Sequence, residues 1–539
     1  MTEKTGADII AQRLAEEGCR YAFGIPGGEV LALMDALTRA GIRFVLTKHE
    51  NNAGFMAEGV YHRDGKPGIL LATIGPGVAN AVNVVANAWQ DRVPLIFLTG
   101  CIDEAEALTY THQVFDHQAL LRPVVKASLK AVSGNVDIVI EKALAIAQEG
   151  QPGPVHIDVP ISVAEGQERP SVIRTAATAR PASVGPAPGA ELDAARQLLS
   201  AATKPLIIAG VDALEPGAAS AVRDIVEEHR IPLVTTYKAK GLVAEDHELA
   251  MGGAGLSPKA DALLLPLVQQ SDCILLAGYD PIEMRVGWRA PWPQGSPVIE
   301  ISAVGHSHFM HTARHVFVGD IAAGLAAITD GYAAEGLWPG GGPERTKRQL
   351  ADAFAPTEGW SPQTMVHAAR ALAPDNALTT ADSGAHRILF SQIWACREPR
   401  GLMQSSALCT MGCAVPLAAG AKLASPDRPV VAFIGDAGLE MGLGELATLR
   451  DLGLPVVIVV FADRSLALIE LKQRRRGLQG VGVDFDATDF AGVARSLGGV
   501  GETVGDLAAF EATFSKALAA DRFTVIACTF DRRAYDDAF

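Results

Sequence analysis

At 539 residues the chain exceeds what one core can hold, and at about 100–200 residues per domain it predicts three or four domains. A hydrophobic share of 49%, with 54 Gly and 31 Pro, describes a globular α/β protein rather than a disordered or fibrous one. The formal charge of −15 argues against nucleic acid, whose phosphates call for basic surface, but leaves room for a small anion in a local pocket.

The N-terminal stretch MTEKTGADIIAQRLAEEG reads as an amphipathic helix without the apolar core of a signal peptide. Strand YAFGIP follows, then strand RFVLTKHE running into helix NNAGFMAEGVYHRDG, strand GILLATIGPG opening helix VANAVNVVANAWQD, and strand PLIFLTG. Residues 166–190 are rich in Pro, Ala and Ser without apolar periodicity and predict a linker; residues 338–347, WPGGGPERTK, predict a second break. Between them PLIIAG, AVRDIVEEHRIPLVTTY and SDCILLAG repeat the alternation, and beyond them come PVVAFIGD, a helix, PVVIVVFAD and FTVIACTF. Such alternation predicts α/β domains with central parallel sheets flanked by helices, here over residues 1–165, 191–337 and 350–539.

No apolar run nears the roughly 20 residues that cross a bilayer. Seven scattered cysteines without a CxxC pair predict no disulfide framework or zinc site, and Cys409 and Cys413 read as buried thiols. A cytoplasmic, reduced protein with no membrane partner is expected.

In the third segment GLEMGLGELATLRDLG places Leu439, Leu443, Leu446 and Leu449 on one helical face, which makes a βαβ unit of the flanking runs. Asp436 lies just past the first strand and Asp463 just past the second, so neighbouring strands would turn both carboxylates to one crevice. Gly435 and Gly438 let backbone approach a phosphate at a helix N-terminus. Read alone, the pair is either a hard-cation site beside a diphosphate or two helix or turn caps. GxxxxGK[ST] and GxGxxG are both missing.

GDAGLEMGLGELATLRDLGLPVVIVVFAD resembles the GDG…NN motif of thiamine-diphosphate-dependent enzymes, with the GELAT helix and GLPV turn of their acetohydroxyacid synthase-like branch. The resemblance runs nearly the whole chain. It implies pyrimidine-binding, middle and diphosphate-binding domains in that order. It further implies Mg²⁺ on Asp436, Asp463 and the Ser465 carbonyl, with Ala437 and Gly438 near the cofactor's diphosphate and Gly435, Ser465 and Leu466 among the cofactor-binding residues. Two departures stand out: Ala437 replaces the second glycine of GDG, and Ala462-Asp463 replaces the paired asparagines, adding a negative charge.

KHENNAGFMAEG is similar to the family's HE-x-x-A-G-x-M-A-E-G run, which implies that Glu50 is catalytic and favours the imino tautomer of the cofactor's aminopyrimidine. SALCTMGCAVPLAAGAKLA resembles the G-T-M-G stretch, implying that Met411 holds the cofactor's two rings together and that the Cys409 carbonyl and Met411 N–H hold the pyrimidine. TTADSGAHR resembles a T-x-D-x-G-x-H loop near the diphosphate, through Asp382, Gly384 and His386, and TIGPGVAN resembles SGPG-x-x-N. By the same likeness the cofactor sites lie between subunits of a homodimer or homotetramer, Glu50 of one chain serving the cofactor of the other.

YTHQVFDHQALLRPVVK resembles the family's F-Q-E…RP-x-x-K stretch. Gln113 falls on a substrate-contacting position and His112 replaces the phenylalanine; His112 and His117 read either as donors to an anionic substrate or as surface or structural histidines. Lys472 in SLALIELKQRRRG reads as an anion contact or a solvated helix end. GYDPIEMR puts Asp280 where a flavin-binding relative has arginine, so no FAD is expected. The resemblance implies decarboxylation of a 2-oxo acid with carboligation, as in acetolactate synthases. Its alternatives are simple decarboxylation of phosphonopyruvate or sulfopyruvate type, cyclic-dione hydrolysis, acetyl transfer, or, in another class, cofactor binding without catalysis.

Overall fold

The computed structural model describes residues 4–168, 182–306, 308–333 and 335–539, without the side chains of Glu283 and Val286. Three six-stranded sheets, all parallel, carry the chain. The first spans Tyr21–Ile25 to Pro154–Pro160, the second Pro205–Ala209 to His315–Val318, and the third Leu378–Ala381 to Thr524–Thr529. Their central strands, such as Ile-Leu-Leu at 69–71 and Val457–Ala462, are buried apolar runs, as helices on both faces demand.

Numbering the strands of each sheet in chain order, the first and third sheets share the spatial order 2-1-3-4-6-5, whereas the second is 3-2-1-4-5-6. The outer sheets are thus two copies of one topology. In each, the helix between strands 2 and 3 is buried nearly all round: Glu50–Asp64 in the first and Ala414–Ala424 in the third. These equivalent helices pack on each other through glycine. A Cβ on Gly420 would lie 2.0 Å from the Met56 carbonyl oxygen and 3.1 Å from Gly59 Cα; one on Gly59 would lie 2.3 Å from the Leu417 carbonyl oxygen. Alanine and glycine on both helices make that approach possible, and it merges the two domains' cores into one cluster.

Three expectations change. The helix expected through Leu439–Leu449 is two, Asp436–Met441 and Glu445–Leu452, because Gly442 ends the first with its N–H on the Leu439 carbonyl. Leu439, Leu446 and Leu449 still reach the core, and Leu443 packs beside it. The break at 338–347 already contains the start of helix Gly342–Ala353, since Pro343 suits a first turn. Of the linker, Gln167–Glu168 pair antiparallel with Lys4–Thr5, and residues 169–181 lie outside the described residues. No helix among the described residues is long and apolar enough to cross a membrane.

Gly420→Val drives a branched side chain into backbone, and overpacking of that kind costs about 1–3 kcal/mol or more. The expected result is a clear drop in the urea midpoint; an unchanged midpoint would mean the two helices can separate freely.

Candidate active site

Strands Val430–Gly435 and Val457–Ala462 are neighbours in register, Gly435 opposite Phe461. Asp436 and Asp463 therefore leave the sheet side by side at its carboxyl edge. Asp436 accepts the Ala437 N–H on Oδ1 (2.8 Å) and the Arg464 N–H on Oδ2 (2.7 Å). Asp463 accepts the Ser465 N–H (3.0 Å), a turn made by Arg464 in the left-handed region, φ 57°. The capping alternative thus holds for part of each carboxylate's capacity, and both carboxylates leave the sheet at the same edge. Burial pushes the Asp463 carboxyl up to about 8, and the Asp436 charge adds to it; Asp436 is raised by burial too. The Ser465 hydroxyl is buried with no hydrogen-bond partner among the described residues.

The loops of strands 1 and 2 complete this edge. Asp382 accepts N–H bonds from Gly412 (3.0 Å) and Cys413 (2.8 Å), yet burial lifts its carboxyl to about 6. Its Oδ2 stands 2.1 Å from where a Gly438 Cβ would be, so only glycine fits there. His386 stacks on Phe461 (centroids 5.0 Å apart), is lowered to about 3 by burial and then by the Arg387 charge, and leaves Nε2 without a partner among the described residues. Gly384 and Gly435 lie against the same ring, at 2.6 Å and 3.2 Å from would-be Cβ atoms. Met411 is half-buried beside this edge, and the Leu466 N–H donates to the Val483 carbonyl (2.8 Å). Cys413 is buried, but Cys409, at φ 58°, is exposed: the left-handed turn lifts it out of the loop, where it receives Arg387 Nη2 at 3.1 Å.

At the carboxyl edge of the first sheet, Glu50 opens its helix, 5% exposed, and its Oε2 accepts from Asn80 Nδ2 at 3.0 Å. Asn80 begins a stripe not singled out from the sequence. Asn83 accepts from Thr410 (3.0 Å), and Asn87 accepts from Ser405 (2.6 Å) while donating to Glu58 (2.9 Å). The signal was there: asparagines at i, i+3 and i+7 on an otherwise apolar helix share one face. Gln113 sits at φ 59° with its backbone against Gly75, whose N–H donates to His117 Nε2 (3.2 Å). The side chains of His112 and Gln113 are exposed, and His112 meets only the edge of Tyr110 among ring contacts. His117 takes the structural alternative: buried, with Nδ1 on Asp158 at 2.8 Å. Lys472 is exposed beside exposed Ile469, while Leu471 and Ala467 are buried, so the face carrying Lys472 is the outer one. Asp280 pairs with Arg92 at 2.6 Å.

Buried polar groups tie the two edges together. Glu445, wholly buried, accepts from the Lys48 N–H (2.9 Å), Asn52 (3.2 Å) and Thr448 (2.7 Å). Lys238, reaching from the middle sheet, bonds Asp91 (2.9 Å), Glu58 (3.4 Å) and the Gln404 carbonyl (3.1 Å). Asp91 in turn accepts the N–H groups of Ser406 and Ala407, each at 3.0 Å, which open the Cys409–Met411 loop.

Residues 4–120 match the N-terminal TPP binding domain of thiamine pyrophosphate enzymes, 192–328 their central domain, and 382–528 their C-terminal TPP binding domain. The chain is 30% identical over 519 residues to the acetolactate synthase of Bacillus subtilis (strain 168), covering 93% of this chain and 89% of that one. It belongs to the thiamine pyrophosphate enzymes, in their acetolactate synthase-like branch. Acetolactate synthase isozyme 1 large subunit of Escherichia coli (strain K12) is 30% identical over 488 residues, 88% of this chain and 85% of that one. The catabolic acetolactate synthase of Raoultella terrigena is 28% identical over 546 residues, 98% and 95%. The chain is accordingly a thiamine-diphosphate-dependent enzyme of α/β architecture.

The raised Asp463 carboxyl has a stability consequence. Its folded value of about 8 exceeds the ordinary 3.8, so the folded state holds a proton that the unfolded state has released. Metal-free protein should therefore lose stability as pH rises across that window, and Asp463→Asn should remove the loss. Melting temperature against pH in chelator reads both; parallel profiles for the two proteins would contradict the coupling.

Proposed function

We propose that this chain is an acetolactate synthase-like carboligase, which uses thiamine diphosphate and Mg²⁺ to decarboxylate a 2-oxo acid and join the remaining fragment to an acceptor carbonyl. The observation that carries the reading is the juxtaposition of Asp436 and Asp463 at the carboxyl edge of the third sheet. Two buried carboxylates raised by burial, one of them also by its neighbour's charge, are a donor set that a divalent cation relieves, and carboxylates with a carbonyl suit Mg²⁺. The residues fit the cofactor: Asp436, Asp463 and the Ser465 carbonyl would hold the metal. Gly435, Ala437, Gly438, Leu466, Asp382, Gly384 and His386 would surround the diphosphate. The His386 Nε2 and Ser465 hydroxyl support this, being buried polar atoms with no hydrogen-bond partner among the described residues.

The Cys409 carbonyl and Met411 N–H would hold the pyrimidine, with the Met411 side chain filling the space beneath it. Bound there, thiamine diphosphate supplies the nucleophilic carbon and the electron sink that decarboxylation needs. Glu50, oriented by Asn80, would hold a proton at the pyrimidine ring. Gln113 and His112 would orient the carboxylate of the 2-oxo acid. Their loop also exposes Leu108 (95%), Tyr110 (46%) and Phe115 (40%), an apolar surface beside the site that supports a homodimer or homotetramer closing it. Localisation is proposed to be cytoplasmic.

CO₂ release from a panel of 2-oxo acids, with products identified by NMR, tests the reading. A joined-carbon product is expected; release without joining would make the chain a simple decarboxylase, and no release at all would sink the proposal. Glu50→Gln should lower turnover by about 10²-fold or more while thiamine diphosphate with Mg²⁺ still raises the melting temperature. Mixing Glu50→Gln with Asp436→Ala chains should restore part of the activity if each site is shared between subunits; no restoration would place the whole site in one chain.

A further inference from the structure

One buried cluster of titratable side chains near the carboxyl edge of the first sheet has no part in the proposed chemistry. The ligand atoms of His117, His156 and Asp158 all lie within 4.8 Å of one another, and all three residues are buried. Their hydrogen bonds fix where the protons sit. The Gly75 N–H, which can only donate, lies 3.2 Å from His117 Nε2. That nitrogen is therefore bare, and Nδ1 carries the proton toward Asp158 Oδ1 at 2.8 Å. Thr99 spends its one hydroxyl proton on the same oxygen at 2.7 Å, so it accepts from His156 Nε2 at 2.8 Å. The other nitrogen of His156 meets Ser128 at 2.7 Å. His117 has no bare nitrogen left for an ion. The cluster is a directed hydrogen-bond network, not a metal site.

The network ends on a backbone group between two parts of the candidate site. Gly75, at φ 69°, opens helix Pro76–Gln90 without a side-chain cap. On one side stands the backbone of Gln113: a Cβ on Gly75 would lie 2.5 Å from the Gln113 carbonyl oxygen. On the other side the helix carries Asn80, whose Nδ2 donates to Glu50 Oε2 at 3.0 Å. It also carries Gly77, where a Cβ would lie 3.4 Å from Glu50 Oε1. Gly75 thus sits where the Gln113 loop meets the helix that orients Glu50, and His117 accepts its N–H. The ring of Phe115, edge-on at 5.0 Å, and the Asp116 cap on the Ala119 N–H (2.8 Å) hold His117 in place.

We propose that His117 is a positioning residue: by accepting the Gly75 N–H in one fixed tautomer, it sets Gln113, on the substrate side, against Glu50, on the cofactor side. The roles of Gln113 and Glu50 rest on the carboligase reading, whereas the hydrogen-bond assignment does not. Asp158 holds the imidazole proton at Nδ1, so the bare nitrogen always faces the amide. Without that acceptor a buried N–H is left unpaired at the turn, which costs about 1–3 kcal/mol and favours a shifted loop. A shift of about 1 Å at a reacting site can cost about 10²-fold in rate.

Two substitutions in the full chain separate the two bonds of the ring. The amide of asparagine reaches only where Nδ1 stands, so His117→Asn keeps a donor for Asp158 and loses the acceptor for Gly75. Glutamine reaches as far as Nε2, so His117→Gln keeps that acceptor. With thiamine diphosphate and Mg²⁺ bound, His117→Asn should lose at least about tenfold in kcat/KM for the 2-oxo acid, and His117→Gln should stay within about threefold of the parent. Cofactor affinity, read by calorimetry, should be the same in both. Amide hydrogen exchange over residues 105–116 should speed up in His117→Asn and not in His117→Gln. In the unsubstituted protein with ¹⁵N-labelled histidine, NMR should show His117 protonated at Nδ1 and bare at Nε2. Equal losses in the two variants, an unchanged His117→Asn, or a proton on His117 Nε2 would each overturn the proposal. Exchange and NMR need no turnover, so they judge His117 even if CO₂ release fails and the carboligase reading with it.

Discussion

The contact between Gly59 and Gly420 is the constraint on which the rest of the molecule depends. It joins two helices that occupy the same position in two sheets of identical strand order. One helix begins at Glu50, and the other begins directly after the Cys409–Met411 loop. Helices normally approach to 8–10 Å, with side chains between them. Glycine at the crossing lets backbone meet backbone, so the orientation of each helix is set by hard contact rather than by adaptable side chains. Everything at the two helix starts inherits that rigidity.

Around the crossing, polar groups are buried where apolar ones would have packed more simply. Glu58 is wholly buried, and burial raises its carboxyl against the pull of Lys238. Lys238 spends its donors on Asp91, Glu58 and a third-sheet carbonyl, so one ammonium touches all three sheet units. Such a cluster adds little net stability, because desolvation offsets the Coulomb attraction. What it provides is direction. Asp91 receives the Ser406 and Ala407 N–H groups while it is paired with Lys238, and those groups set the start of the Cys409–Met411 loop. Glu445 does the same for Lys48 and Asn52, on either side of Glu50.

The carboxyl edge of the third sheet is the electrostatic opposite. There burial outweighs the nearby charges: Asp436 and Asp463 are raised by burial, the latter despite the Arg532 charge, Asp382 is lifted to about 6, and His386 is lowered to about 3. Groups arranged to be uncomfortable in the empty protein are those a cation and a phosphate relieve. The exchange of an amide for Asp463 sharpens this imbalance, and it lies in the strand-end turn, where the sheet's geometry is insensitive to the side chain.

Much of this was legible from residue order. Continuous apolar runs mark the strands, which are buried on both faces, period-3.6 patterns mark the helices, and strand-then-aspartate runs mark the carboxyl edge, because parallel strands end together. Gly442 splitting the Leu439–Leu449 helix was visible only in part, since a glycine inside a helical pattern does not say whether the helix continues. Three things came from tertiary structure alone. The pairing of Glu50 with Asn80 joins different elements and leaves no local spacing to read. The exposure of Cys409 follows from one left-handed turn. The network of Lys238, Asp91 and Glu58 gathers residues 58, 91 and 238, whose meeting depends on how the three sheets are set against one another. Sequence determined which strands and edges exist, through local periodicity; packing decided which edges face each other, because that depends on the Gly59–Gly420 contact between residues far apart in the chain.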